Sequence, residues 1–298
     1  MNTQPGGPQN NPPKDLHTVT RCLLARFADS TSGKLKAYYL TRPREYDKPP
    51  SAVGRVEGFI THNPQEYEAY WKTEVEDFLP AAFTSVDDKT ILDKPDHVKV
   101  LKDCIALHWA RSKAYKDTSE ALLQEVTQRQ KRLWMEQHRQ LLVNAFYDRY
   151  GLYPVGDQAL EHINELLHEI PEVIFSRHFA ERVRENFKTA RNHFVNKKLE
   201  IARPPAGQQF LVGDAPALPV SNWDGQIRKA ALYEANTVLL PIGPNHALGL
   251  GKGDDKWIDL EASHVELINT MQTVEAISWV YYQPSSGLGT FVNTLRRE

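Results

Sequence analysis

Residues 64–195 read as helix almost without a break, while residues 35–40 and the stretch beyond Asn196 read as strand. This segregation constrains the fold more than any other feature of the chain. A strand placed ahead of five helices cannot satisfy its own backbone N–H and C=O groups, so it has to pair with strands far along the chain. Runs of helix kept apart from runs of strand argue for α+β rather than an alternating βαβ order. The expected architecture is a helical middle packed on a small mixed or antiparallel sheet, in which residues 35–40 pair with a strand from beyond residue 196.

The elements follow from local patterns. Residues 35–40 alternate loosely and are Tyr-rich, as strands are. Residues 41–63 hold Pro43, Pro49, Pro50, Gly54 and Gly58 and read as loop, with a short strand near Val53. Asn63-Pro64 opens the first helix of the middle region, Asn63 as N-cap and Pro64 in the first turn. Tyr67, Trp71, Phe78 and Ala82 continue it at helical spacing. Pro95 and Asp96 start a second helix with Leu101, Cys104, Ile105 and Tyr115 on its apolar face. A third starts at Thr118 or Ser119 and runs to Tyr150, where Gly151 stops it. Residues 157–170 form a fourth, and Pro171 begins a fifth that reaches Val195. The short apolar runs 199–202, 210–212, 238–240 and 247–250, set between Pro and Gly, read as strands. A helix over residues 263–277 and a strand over 279–282 follow, and no internal repeat is present.

A chain of 298 residues that is 41% hydrophobic and 25% charged can bury a sizeable core. Residues 1–14 are the exception: Asn, Gln, Gly and Pro give them almost nothing to bury, so they read as a disordered leader ahead of a single domain over 15–298. The net charge of −2 creates no global field for nucleic acid or membrane. No apolar run is long enough to cross a bilayer. Cys22 and Cys104 have no C-x-x-C partner. That argues against a disulfide framework or a cysteine zinc site and for a reducing compartment, the cytoplasm, with the protein soluble there.

Three motifs invite functional readings that simpler ones outweigh. Gly249-Leu-Gly251-Lys-Gly253 lacks the Ser or Thr that follows the lysine of a phosphate loop, and Asp254-Asp255 would repel phosphate, so it reads as a hairpin turn. Ser285-Ser286-Gly287 lacks the flanking pattern of a nucleophile elbow. Residues 177–203 combine Arg177, Arg182, Arg184, Lys188, Arg191, Lys197, Lys198 and Arg203 with Phe179, Phe187 and Phe194, and Phe175 just precedes them. Bases can stack on such rings while the cations hold phosphates. The plainer reading turns the phenylalanines to the core and leaves the charges solvated.

Ionisable groups at core-facing positions are more informative. His108 follows Leu101 and Ile105 on one stripe, and Arg111 comes one turn later. Glu74 lies between Trp71 and Phe78 on the apolar stripe of the preceding helix. A buried guanidinium is costly unless a carboxylate meets it, so Glu74 and Arg111 form either a structural pair or, with His108, a polar site facing a cleft. Asp214 ends an apolar run just before Ala215-Pro216. It either caps a turn or projects a rigidly held carboxylate.

In order along the chain these residues make up a recognisable series. It runs His17-Thr-Val-Thr20-Arg-Cys-Leu-Leu24-Ala-Arg26-Phe27, the strand at 35–40, the glutamate helix, and Ile105-Ala-Leu-His108-Trp-Ala-Arg111-Ser. Phe210-Leu-Val-Gly213-Asp214-Ala-Pro216 and Leu240-Pro241-Ile-Gly243-Pro244 complete it. The series resembles the bacterial domain-of-unknown-function 4238 family. Its members open with His-x-x-Pro-x-x-x-Leu-x-x-Phe and carry Gln-x-x-Arg in mid-chain, then Ser-Asp-x-Pro and Pro-Leu-Ser-Pro strand ends. Here Thr20 replaces the opening proline, His108 the glutamine, Gly213 the first serine and Gly243 the second. The resemblance spans residues 15–283 and implies no activity, but it supports treating His17, Glu74, Arg111 and Asp214 as one set.

Two classes of function fit. One is a metal-dependent hydrolase or nuclease. In it His17, Glu74 and Asp214 hold a divalent cation, Arg111 stabilises an anion, His17 acts as a ligand or relays a proton, and His108 belongs to the same catalytic set. The other is a non-catalytic interaction or regulatory protein in which the same residues form a structural polar core. Nucleic-acid binding through residues 177–203 is a third reading.

Overall fold

The computed structural model describes residues 15–167, 172–223 and 226–296. The expected leader and the expected helix start at Pro171 lie outside these residues, and Phe175 lies outside the described side chains. The chain begins with β1 (Asp15–His17), α1 (Arg21–Ala25), β2 (Leu35–Tyr39), β3 (Arg44–Lys48) and β4 (Arg55–Glu57). The helical middle comprises α2 (Pro64–Glu74), α3 (Leu79–Asp87), α4 (Pro95–Ala110), α5 (Lys113–Gln137), α6 (Arg139–Tyr150), α7 (Asp157–Leu167) and α8 (Glu172–Phe194). Then come β5 (Lys198–Arg203), β6 (Val212–Gly213), β7 (Leu218–Trp223), β8 (Gln226–Lys229), β9 (Thr237–Gly243), β10 (His246–Gly251) and β11 (Lys256–Asp259). The last elements are α9 (Ala262–Glu275), β12 (Trp279–Tyr282) and α10 (Leu288–Leu295). The fold class is α+β with a helical middle region.

β2 pairs with β12 antiparallel, Tyr38 opposite Val280, so the early strand does find its partner beyond residue 196. The late strands do not all join it. Among the described residues the order β3-β2-β12-β6 makes one sheet, β11-β5-β10-β9-β7-β8 a second, and β1-β4 a two-stranded ribbon. Each pairing in them is antiparallel except β11 with β5, which is parallel. β3 falls in the segment expected to be loop. It is an edge strand exposed along most of its length, so it has no apolar alternation to reveal it.

The described chain gathers into two compact units: residues up to Tyr115 together with those from Ala180 onward, and Lys116–Phe179. In the first, Leu23, Leu24, Phe27, Leu35, Trp71, Val75, Leu79, Leu101 and Ile105 are all buried. In the second, Leu142, Leu160 and Ile163 form a small core against Trp134, Val143 and Phe146. The long helix expected up to Tyr150 is broken at His138, which leaves helical geometry at φ −125°, ψ 30°. Gly151 ends α6 in the left-handed conformation at φ 68°.

The helix expected from Pro64 through Ala82 is also two helices. α2 stops at Glu74, Val75 sits at φ −140°, and α3 begins at Leu79. Pro80 is the cause: it has no N–H to give the Glu76 carbonyl, and its ring would clash there in a continuous helix. Asn63 occupies the N-cap position, but with φ 48° and no side-chain cap bond. Gly54, at φ 69°, fixes the approach to β4. A Cβ there would lie 2.6 Å from Leu24 Cδ1, and its C=O accepts the N–H groups of Thr18 and Val19 at 2.8 and 3.2 Å.

Candidate functional site

Arg111 is the centre of an unusual polar cluster. It is not on the stripe of α4. It stands where that helix stops, at φ −107° and ψ 29°. It is 0% exposed. Its Nη2 donates to Glu76 Oε1 at 2.6 Å, and its guanidinium lies 5.1 Å over the Trp71 ring. Glu76 is 22% exposed, so one end of the pair reaches water. Arg111 Nε and Nη1 and Trp71 Nε1 are buried and meet no acceptor. Two N–H donor groups of the guanidinium are thus left without a partner, and so is the N–H of the indole it lies over.

The expected Glu74–Arg111 pair does not form. Glu74 is the last residue of α2, its side chain is 40% exposed, and it accepts from Arg191 Nη1 at 2.9 Å. Arg191 Nε binds Asp103 at 2.9 Å as well. The helix break before Pro80 changes the phase of the chain, so Glu76 rather than Glu74 turns to Arg111. Phe78, expected on the core stripe, is 53% exposed, while Val75 and Leu79 are buried in its stead.

His17 joins this neighbourhood from β1. The β1–β4 register sets His17 opposite Arg55, whose Nε donates to His17 Nε2 at 3.1 Å. The His17 proton therefore sits on Nδ1. Its backbone N–H donates to Glu68 Oε1 at 3.3 Å. Burial, then the Arg55 and Arg111 charges, push the His17 pKa down to about 4, so the ring is neutral at pH 7. Burial also raises the Glu68 carboxyl above its usual range, with Arg111 opposing the shift.

His108 is fully buried on α4 and holds the start of α1. Its Nδ1 lies 2.8 Å from the Cys104 carbonyl and its Nε2 accepts the Thr20 N–H at 3.2 Å, a pattern that puts the proton on Nδ1. A proline at position 20 would have no N–H to offer. The two departures from the family pattern, Thr20 and His108, therefore form one contact. Burial, then Arg111, push the His108 pKa down to about 3. Between pH 6.5 and 3 the unfolded chain binds this proton and the folded one does not, so stability falls as pH falls through that window. The expected loss for His108 is about 2 kcal/mol between pH 7 and pH 5, at about 1.4 kcal/mol per unit. Urea midpoints measured across this range check it: His108→Gln should flatten the slope, and an unchanged slope would place the acid sensitivity elsewhere.

Asp214 is buried and committed to backbone. Its Oδ1 accepts the Ile277 N–H at 2.8 Å, and its Oδ2 accepts those of Ser278 and Trp279 at 2.9 and 3.1 Å. Burial nonetheless raises its pKa against these three bonds. The set His17, Glu74 and Asp214 is thus spread over an arginine partner, a second arginine and a turn of backbone. Among the described residues no group of three His, Cys, Asp or Glu side chains is placed to hold a metal ion. Of the five expected site residues, His17, His108 and Arg111 share one electrostatic neighbourhood. Glu68, Glu76, Arg55 and Trp71 were missed. Pro80 carried the signal for Glu76; the others take their roles from strand register and packing.

In the basic segment Phe179, Phe187 and Phe194 are buried, so these rings offer no face to a base. Arg184 pairs with Glu66 at 3.0 Å, Lys188 with Glu185 at 2.9 Å and Arg203 with Asp259 at 2.7 Å. Gly249 and Gly251 belong to β10 rather than to a turn. Among the described residues no helix is long and apolar enough to cross a membrane.

No curated protein and no solved structure matches this chain. A family model described as Protein of unknown function (DUF4238) matches residues 17–286, from the histidine of β1 to the turn after β12, and the chain belongs to that family.

Proposed function

We propose that this protein binds a small oxyanion at Arg111 and acts on it as a hydrolase, with Glu68 as the proton-transfer group. The observation that carries this reading is the buried pair of nitrogens, Arg111 Nε and Nη1, that meet no acceptor. A buried donor left unpaired costs about 1–3 kcal/mol, so an occupant with acceptor oxygens is favoured there. A phosphate or carboxylate supplies them with complementary charge. Trp71, whose ring lies under the guanidinium, carries a third unpaired donor at Nε1. Glu68, with its raised carboxyl, takes a proton from water as the water oxygen attacks the substrate, and passes it to the leaving group. Arg111 holds the charge that develops on the attacked group. A nuclease would be one member of this class. The free thiols Cys22 and Cys104 suit a bacterial cytoplasm.

A second reading, a structural polar core without catalysis, draws support from the complete burial of Arg111 and Trp71. Inorganic phosphate separates the two. Under the first reading it raises the unfolding free energy by about 2.7 kcal/mol at a hundredfold excess over Kd, and Trp71→Phe weakens the effect. Glu68→Gln then abolishes turnover of p-nitrophenyl phosphate or acetate while phosphate still stabilises. If phosphate stabilises neither wild type nor Trp71→Phe, the polar-core reading stands.

A further inference from the structure

α5 is 25 residues long, and none of its described side chains is buried. A helix in water takes most of its stability from packing an apolar face, so a helix this long with nothing buried leaves a face uncovered. Leu122, Val126 and Leu133 are 53%, 43% and 46% exposed, and exposed Arg129 completes their stripe. Their spacing of four, three and four residues is that of the seam positions of a coiled coil, and the four side chains fall within roughly 60° around the helix. Trp134 and Met135 pack on the core of Leu142, Leu160 and Ile163 from positions about 100° and 200° away from that stripe. The exposed stripe is therefore not the face that α5 turns to its own unit. Among the described residues nine of the fifteen exposed large hydrophobics lie between Leu122 and Val155, so apolar surface concentrates in this segment.

The charges beside the stripe indicate what covers it. Glu125 and Arg132 are exposed on the same edge of the stripe, one heptad apart. Neither has an ion-pair partner among the described residues. One edge thus carries an acidic group toward the N-terminus and a basic group toward the C-terminus, an arrangement complementary to itself when the helix is reversed.

We propose that α5 pairs with α5 of a second copy of this chain, antiparallel about a two-fold axis. With the axis between positions 127 and 128, Leu122 of each copy packs on Leu133 of the other. Val126 meets Arg129 of the other copy, whose stem covers the layer while its head stays in water. In the same register Glu125 of each copy flanks Arg132 of the other, so two ion pairs close the edge. A parallel pair would set Arg129 against Arg129 in the seam and is disfavoured by like charge. Ser119 opposite Glu136 ends the seam on both sides, so the interface is short and the dimer weak. The proposal does not depend on the reading of Arg111.

Sedimentation velocity of the full chain, from about 1 to 200 µM, reads this association. The wild type is expected to move from monomer toward dimer as concentration rises. Glu125→Arg and Arg132→Glu, both at exposed positions, should each weaken the dimer about tenfold, because each sets like charges side by side at two places. Mixed in equal amounts, the two variants should associate with at least wild-type affinity, since both flanking pairs are then of opposite charge. A variant that had merely failed to fold would not be rescued in this way. The proposal is overturned if the wild type stays monomeric across the range, if Glu125→Arg leaves the dimer unchanged, or if the mixture associates no better than either variant alone.

Discussion

Arg111→Ala is expected to lower the unfolding free energy by about 3 kcal/mol. The side chain is wholly buried, and its removal both opens a cavity beside Trp71 and strands the Glu76 carboxylate. Breaking a buried pair typically costs about 3–5 kcal/mol, and the lower end applies because Glu76 is 22% exposed and can turn to water. Arg111→Met refills the volume, and adding Glu76→Gln removes the stranded charge, so the double variant should recover more than half of the loss. Urea melts of the three proteins decide it. A loss below about 0.5 kcal/mol for Arg111→Ala would mark the residue as no more important than a surface one, and the cluster would lose its centre.

Asp214→Ala is expected to cost about 4 kcal/mol, more than Arg111→Ala. One carboxylate gathers three consecutive backbone N–H groups, those of Ile277, Ser278 and Trp279, and so fixes the entry into β12. β12 lies between β2 and β6, so misplacing it loosens the sheet that ties the start of the chain to its end. Hydrogen bonds to a charged group contribute about 1.5–3 kcal/mol each. The simple sum is too large, because burial at 4% exposure works against ionisation and raises the carboxyl pKa despite the three donors. Asp214→Asn keeps one acceptor and brings an N–H₂ against donors, and about half of the loss should remain. If Asp214→Ala melts within about 1 kcal/mol of wild type, the turn holds itself and the aspartate is free for another role.

Much of the local structure was legible before any coordinates. The tyrosine-rich run at 35–40, the Pro-bounded starts of α2 and α4, the stop at Gly151 and the strand at 279–282 each follow from patterns a few residues long. The logic that an early strand needs a late partner led to a strand beyond residue 196, because its backbone groups would otherwise go unsatisfied, and the structure shows that partner to be β12. Elements without such a pattern were missed. β3 is polar and exposed along most of its length, and β7 carries Pro219 and is buried through its first four residues, so neither shows clean alternation.

The candidate site was legible in its parts and not in its pairing. The sequence determines that His108 falls on an apolar stripe and that a charge is needed opposite Arg111. It does not determine which glutamate supplies that charge. Glu74 and Glu76 are two residues apart, roughly 200° around a continuous helix, so a break between them decides which one faces inward. Pro80 makes that break, and only the packing of Val75 and Leu79 into the core sets the phase on its far side. In the same way, His17 meets Arg55 through the β1–β4 register, and Thr20 meets His108 across 88 residues. Local sequence fixes backbone conformation and the face an element buries. Contacts between distant segments depend on how those faces dock, and the partners of Arg111, His17 and Asp214 were settled there.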